Sequence, residues 1–391
     1  MSKIRHIVNR DNTVAFVLLI LISNFATKAL KVGFHSETPI YPSAIVKGLI
    51  TTYLGLFFLL EGYKSKLAKH TYIIGGIFLI SVLVEIVTNG FNQDILYNRA
   101  YYFSKAVFFL LFIVYLDRVV PNYPKVMKLL FLIAKINLVC ILIAFIFDVE
   151  VFRSYSKNRF GLNGIFPEPG FANYYYMLLM AICFYQVWFN KWRIIDVVVV
   201  LLGGMFIGTK ATYLFIALLG YLALLKLLKK PKYQIGFSVF FLVLTPLIFN
   251  KVIRFIAGFF SFGQELLDKG VLTFITSTRD LLLYDAIDYI QEQWNVANFL
   301  IGGMDFKIHR VEFEFVDLFL FFGLLGVVFY LALLKASFFD KKNHWVFSAL
   351  IISVLLISAL SGNLFFSLSN SFFFILVFKL IQNQKTSIHQ E

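Results

Sequence analysis

The chain has 391 residues, of which 60% are apolar and only 15% are charged, and its mean hydropathy is +0.80. Soluble globular proteins average about half apolar and about a quarter charged residues, so this composition excludes a water-soluble enzyme, a disordered chain and a small disulfide-rich domain. The formal net charge of +14 suggests a nucleic-acid partner, but in so apolar a chain basic residues orient the loops of a membrane protein. We therefore predict an all-α polytopic membrane protein that forms a single domain over residues 1–391 and binds no nucleic acid.

Twelve stretches are apolar enough and long enough to cross a bilayer as helices, for which about 20 residues are needed. Only Thr209 and Lys210 separate the seventh stretch from the eighth, which predicts a tight helical hairpin at that point. The twelve stretches are 14–30, 43–60, 72–88, 100–116, 126–147, 171–189, 194–208, 211–228, 235–253, 316–334, 345–360 and 364–380.

The distribution of lysine and arginine predicts the orientation. With the N-terminus in the cytoplasm, the inner loops carry 20 lysine and arginine residues and the short outer loops carry 5. Because positive charge is enriched in cytoplasmic loops, both termini are predicted to be cytoplasmic. Two long outer loops remain, at residues 148–170 and 254–313.

Arginine is distributed differently from lysine. Five of the ten arginines fall in the two long outer loops: Arg153, Arg159, Arg254, Arg279 and Arg310. Arginine is favoured where phosphate or carboxylate is bound through two parallel hydrogen bonds. We interpret the bias as an external anion site built from both loops; the alternative is that these arginines bind lipid headgroups.

The first outer loop leads directly into a membrane helix through Pro167-Glu168-Pro169-Gly170. A helix N-terminus exposes unpaired amides that favour an anion. Glu168 lies at the same place, and we consider it both as a catalytic carboxylate and as an ordinary helix-terminus residue, since acidic side chains favour that position.

The second outer loop is predicted to be partly helical and to lie at the membrane interface. Ser277 or Thr278 can cap a helix that begins at Arg279. Further on, His309 and Arg310 precede an acidic block that leads into the tenth stretch and comprises Glu312, Glu314 and Asp317. Carboxylates at a membrane entrance need partners and are functional candidates, although a polar helix cap is the alternative interpretation.

These residues together resemble the O-antigen polymerases (Wzy-type) of the wider polysaccharide polymerase and O-antigen ligase superfamily. Arg159 and Gly161 followed by FPEPGFAN, then Ser277-Thr278-Arg279, and then the acidic block followed by Gly323 and Gly326 occur in the family's order and on the same predicted side. The ligase branch typically has a histidine–asparagine pair near the position of Glu312. The absence of that pair favours a polymerase, while the nearby His309 keeps a ligase open.

The resemblance implies an enzyme of the bacterial inner membrane that joins undecaprenyl-pyrophosphate-linked repeat units on the periplasmic side. The donor and the acceptor would both be lipid-linked glycans, and a chain-length regulator is a further possible partner. We expect Arg159, Arg279, Arg310 and Arg153 to bind the pyrophosphate. The base is expected among Glu312, Glu314, His309, Asp317 and Glu168, with Glu312 or Glu314 favoured.

No cofactor and no metal are predicted, because the acidic block is too sparse to hold an ion and Cys140 and Cys183 both lie in apolar stretches. The competing hypotheses are an O-antigen ligase and a polysaccharide-lipid flippase or transporter. A transporter is expected to place charge along a path at the middle of the bilayer, whereas here the charge is concentrated in two outer loops.

Overall fold

A computed structural model describes residues 11–36, 38, 40–155, 160–189, 192–228, 230–258, 263–340 and 343–388. Within these ranges the chain is helical, and its β-type pairing is limited to one isolated bridge between Arg153 and Leu162. The predicted cytoplasmic termini, residues 1–10 and 389–391, lie outside the described residues.

Sixteen α-helices are described. The first eight are α1 (Thr13–Lys28), α2 (Pro42–Leu60), α3 (Ala68–Asn89), α4 (Gln93–Arg118), α5 (Tyr123–Phe147), α6 (Pro169–Trp188), α7 (Ile194–Phe206) and α8 (Lys210–Leu227). The other eight are α9 (Pro231–Ala257), α10 (Gly263–Lys269), α11 (Val271–Thr276), α12 (Arg279–Gln293), α13 (Val296–Ile301), α14 (Glu314–Phe338), α15 (Trp345–Ser361) and α16 (Leu368–Ile388).

Seven stretches in the described part of the chain are long and apolar enough to cross a membrane: Thr13–Gly33, which includes α1, and then α2, α3 (to Thr88), α4, α5, α8 and α14. Helices α7, α15 and α16 are also apolar but give shorter spans. The architecture is thus consistent with a helical membrane protein, and the prediction of an all-α fold is confirmed. Each of the twelve predicted stretches falls on a helix, although the last begins four residues before α16.

The loop boundaries follow the sequence closely, with one correction. Helix α5 ends at Phe147 and α6 begins at Pro169, as predicted for the first long loop. The second loop does end at the start of α14, but α9 continues to Ala257. Arg254 therefore lies in the last turn of a helix rather than in the loop, because the apolar run of the ninth stretch continues past its predicted end.

Helix α6 lies at the centre of the bundle and packs against α7, α8, α15 and α16. Its first half carries three tyrosines in succession, Tyr174, Tyr175 and Tyr176, all of them buried. Each hydroxyl has a backbone carbonyl within reach; that of Tyr174 donates to Gly362 O at 2.7 Å. A buried tyrosine requires such a partner, so these bonds tie α6 to neighbouring elements.

Helix α14 is interrupted. At Gly323 the backbone leaves the helical conformation (φ 66°, ψ −174°), and the chain of α13 passes so close that a Cβ at this position would lie 2.3 Å from backbone atoms of Leu300 and Ile301. Only glycine adopts this conformation readily. The interruption lets the short helix α13 pack against α14.

Candidate functional site

The turn between α11 and α12 fixes the direction of Arg279. Ser277 and Thr278 both have positive φ angles, 57° and 75°. This conformation is costly for a β-branched residue. The helix begins at Arg279 as predicted, but neither predicted cap is made: the hydroxyl of Thr278 donates to Ser277 O at 2.6 Å instead.

Asp280 holds this turn in place. Its carboxylate accepts hydrogen bonds from the hydroxyls of Thr273 and Thr276 at 2.6 and 2.8 Å, which joins α11 to α12. Burial by itself would raise the pKa of Asp280, but the bonds from Thr273, Thr276 and two backbone amides outweigh burial and hold the pKa below its ordinary value. The carboxylate therefore stays charged and keeps the two helices together.

The guanidinium of Arg279 is held on one side and open on the other. Its Nη1 donates to Thr276 O at 2.9 Å, and its Nη2 lies 3.1 Å from Oε2 of Glu312. The side chain of Arg279 keeps 22% of its surface exposed and that of Glu312 keeps 38%. Arg279 can therefore bind a further anion without losing both of these contacts.

Arg279 lines a cavity of about 1020 Å³ to which both long loops contribute. From the first loop and the start of α6 come Glu168 and Gly170, and from the second loop come Ser277 and Arg279. Glu168 is exposed into this space, and its carboxylate has no hydrogen-bond or ion-pair partner among the described residues.

The cavity also contains a cation that the sequence motifs do not reveal. Lys210, at the start of α8, donates from Nζ to the backbone carbonyl of Phe274 and to Ser277 Oγ, the latter at 3.1 Å. Its signal in the sequence was a single lysine in a predicted tight hairpin, and that hairpin is confirmed because α7 ends at Phe206 and α8 begins at Lys210. Lys210 and Arg279 thus place two cationic side chains on one cavity.

Much of the cavity lining is apolar. It includes Leu214 and Ala217 of α8, Ile253 of α9, and Ile357 and Leu360 of α15. The cavity therefore combines charged side chains, which come from the two loops and the start of α8, with apolar side chains from three helices. This combination suits an amphiphilic molecule with an anionic head and a hydrocarbon chain.

Glu314 and Asp317 are buried within the fold rather than presented to the cavity. Glu314 accepts from the backbone amides of Leu364, at 2.7 Å, and Phe365. Asp317 accepts from the amides of Val311 and Glu312 at 3.1 and 3.2 Å. Both carboxylates are fully enclosed. Through these hydrogen bonds they fix the backbone around Glu312.

Arg310 and His309 do not line the cavity. The Nε of Arg310 lies 3.3 Å from Asp317, its Nη2 donates to Asn363 Oδ1 at 2.7 Å, and its guanidinium lies 5.9 Å above the ring of Phe366. His309 stacks on the ring of Tyr289 with centroids 4.2 Å apart. Arg310 therefore links the acidic block to the chain around Asn363.

Of the two arginines predicted in the first loop, Arg153 lies among the described residues and Arg159 does not. Arg153 forms an ion pair with Asp148 and does not contribute to the cavity. Arg159 lies outside the described residues. The flanking loop is anchored nearby, because buried Lys28 donates to Asn163 Oδ1 and Gly164 O, both at 2.6 Å.

Among the described residues, no group of three or more His, Cys, Asp or Glu side chains is arranged to hold a metal ion. Of the residues that the structure describes, the charged ones that line the cavity are Glu168, Lys210 and Arg279.

The fold and the cavity together fit a helical membrane protein with a site for an anionic amphiphile. Comparison with protein-family models, with curated proteins and with solved structures finds no match to the chain.

Proposed function

We propose that this protein is a polysaccharide polymerase of the bacterial inner membrane, which joins undecaprenyl-pyrophosphate-linked repeat units on the periplasmic side. The observation that carries the proposal is the cavity that is lined both by the cationic side chains of Lys210 and Arg279 and by apolar side chains of α8, α9 and α15. A prenyl-diphosphate-linked glycan has this distribution of charge and hydrocarbon.

Lys210 and Arg279 are assigned to the donor's diphosphate. In the transfer, the acceptor hydroxyl oxygen attacks C1 of the donor's reducing-end sugar, the C1–O bond to the diphosphate breaks, and the bonding electron pair leaves with the diphosphate. Fixed cations stabilise that developing negative charge without having to reorganise, which is often the largest single contribution to catalysis.

Glu168 is assigned as the base, which changes the expectation from the sequence, where Glu312 or Glu314 was favoured. A general base must reach the proton that it removes, and Glu168 is the carboxylate that lines the cavity and has no partner among the described residues. It takes the proton of the attacking hydroxyl. Glu312 instead forms an ion pair with Arg279, and Glu314 accepts hydrogen bonds from two backbone amides.

The test is electrophoresis of surface polysaccharide from a strain that lacks the gene. If the protein is a polymerase, its loss is expected to leave single repeat units attached to the lipid A core and to abolish the long chains. Loss of all attachment to the core would indicate a ligase instead. Loss of repeat units from the periplasmic face, with accumulation inside, would indicate a flippase.

A further inference from the structure

The first turn of α6 is open to the cavity that contains Lys210 and Arg279. Pro169, its first residue, has no N–H, so Gly170 carries the first amide of the helix. Gly170 is exposed and lines the cavity, and a Cβ added to it would meet nothing within 4 Å. Its amide makes no hydrogen bond to any residue that the structure describes, and the side chain of Glu168 does not cap the helix. An unpaired amide is therefore available at this end of α6.

The side-chain amide of Asn173, one turn further along α6, lies at the same place. Asn173 lines the cavity although only 4% of its surface is exposed. Its Oδ1 accepts hydrogen bonds from the hydroxyl of Thr209, at 3.0 Å, and from that of Thr212. Thr209 directly precedes α8, and Thr212 lies in its first turn. The two hydroxyls fix the orientation of the amide, so that Nδ2 is the atom left to bind a ligand.

The Nδ2 of Asn173 has no partner in the described part of the chain. It donates no hydrogen bond there, and it keeps accessible surface. Polar groups of side chains as buried as this one normally have a partner, so the two free N–H groups indicate a ligand that accepts hydrogen bonds. Lys210 follows Thr209 in the chain and lines the same cavity. A ligand that accepts hydrogen bonds beside a lysine and a helix N-terminus is expected to be an anion.

We propose that Asn173 and the backbone amide of Gly170 form a neutral phosphate subsite in this cavity, beside the cations Lys210 and Arg279. The inference rests on the proposed function and deepens it: the cations and the subsite would each bind one phosphate of the donor's diphosphate. Both cations already donate to oxygens of the protein, so a diphosphate has more acceptor oxygens than these two side chains can bond. The subsite would therefore select a diphosphate over a monophosphate.

The experiment measures the affinity of farnesyl diphosphate and of farnesyl monophosphate for the purified full-length protein in phosphatidylcholine nanodiscs, at mildly alkaline pH. The wild type should prefer the diphosphate. Asn173→Ala removes the amide donors and should weaken binding of the diphosphate at least about tenfold, as loss of a hydrogen bond to a charged group implies. Asn173→Asp keeps acceptor oxygens for Thr209 and Thr212 but places negative charge beside the phosphate, so it should bind the diphosphate more weakly still.

The order of the two variants separates ligand binding from a structural role. If Asn173 only holds Thr209 and Thr212, the Asp variant will bind the diphosphate better than the Ala variant. That order, or an unchanged affinity in Asn173→Ala, overturns the subsite while the proposed function stands. Thermal midpoints identify variants that fold. Asn92→Asp is the matched control and should bind like the wild type, because Asn92 is exposed, caps α4 and does not line the cavity.

Failure of the proposed function gives a different result. If the wild type binds no farnesyl diphosphate, the diphosphate role of the cavity is overturned, and the proposed function with it. Phosphatidylglycerol titrated into the nanodiscs tests the source of the phosphate. Binding that resists a large excess of this lipid supports a prenyl diphosphate, whereas displacement indicates a phospholipid headgroup and overturns the assignment of the subsite to the donor.

Discussion

Three carboxylates that stand within six positions of one another have different environments. Glu314 and Asp317 are enclosed and accept backbone amides, whereas Glu312 is partly exposed and pairs with Arg279. Glu312 also has a positive φ of 62°. Strain of this kind persists only where the surrounding structure enforces it. Here the enforcing contacts come from Asp317, which binds the amide of Glu312 itself.

Replacing Glu314 and Glu312 separately with glutamine should separate stability from activity. Glu314→Gln places an amide NH₂ against two backbone N–H donors and should destabilise the fold by about 1–3 kcal/mol. Glu312→Gln breaks a partly exposed ion pair, which is worth little for stability, but releases Arg279. Thermal denaturation in detergent should show a lower midpoint for Glu314→Gln alone. Equal midpoints would contradict the structural role of Glu314.

Arg279→Lys tests whether the planar guanidinium is needed. The variant keeps the charge but cannot hold Thr276 O and Glu312 while also binding an anion. We expect long-chain polysaccharide to fall at least about tenfold at unchanged protein level, as loss of one fixed charge contact implies. Arg193→Lys is the control, since Arg193 is exposed at the start of α7. Normal chain length in Arg279→Lys would contradict the diphosphate role.

The elements that form the site meet through close backbone approaches. The chain between α15 and α16 carries Gly362, whose carbonyl accepts from Tyr174, and Asn363, which accepts from Arg310. Glu314 binds the next two amides. This short connection thus joins α6, the acidic block and α14, although no motif in the sequence identifies it.

Gly362→Ala should therefore damage both stability and activity. Gly362 has a φ of 62°, and a Cβ there would lie 2.4 Å from Glu312 O. Forcing alanine into this conformation should cost about 1–3 kcal/mol, and the clash should displace Glu312. The thermal midpoint provides the readout. Gly220→Ala is the control, because a Cβ at that helical position meets nothing within 4 Å and should be neutral or slightly stabilising. Similar midpoints for the two variants would be inconsistent with the close approach.

At the scale of the whole molecule, the ends of many helices converge. The cavity is bounded by the starts of α6 and α8, the turn before α12 and the end of α15. Since the predicted orientation puts all of these ends outside, the charged groups should share one aqueous face.

Cysteine labelling tests that orientation. Asp288→Cys on α12 and Arg193→Cys before α7 both replace exposed residues. In intact spheroplasts, a membrane-impermeant maleimide should label Asp288→Cys, while Arg193→Cys should react only after lysis. The wild type measures background from Cys140 and Cys183. The reverse pattern of labelling would overturn the predicted topology.

The helical membrane class could be predicted because it follows from composition and from the length of apolar runs, which are local properties that the bilayer selects directly. The start of α12 at Arg279, the tight turn at Lys210 and the first loop's boundaries were predictable for the same reason, since each is a local change of pattern. The end of α9 was predicted too early, so that Arg254 was placed in the loop, because the apolar run continues past the predicted end of the ninth stretch.

The composition of the site was decided by tertiary packing. Glu312, Glu314 and Asp317 look equivalent in the sequence, but burial encloses two of them. Lys210 carries no motif, yet it reaches Ser277 across 67 positions of the chain. Which charges share a cavity depends on distances between residues far apart in sequence, and no pattern along the chain records those distances.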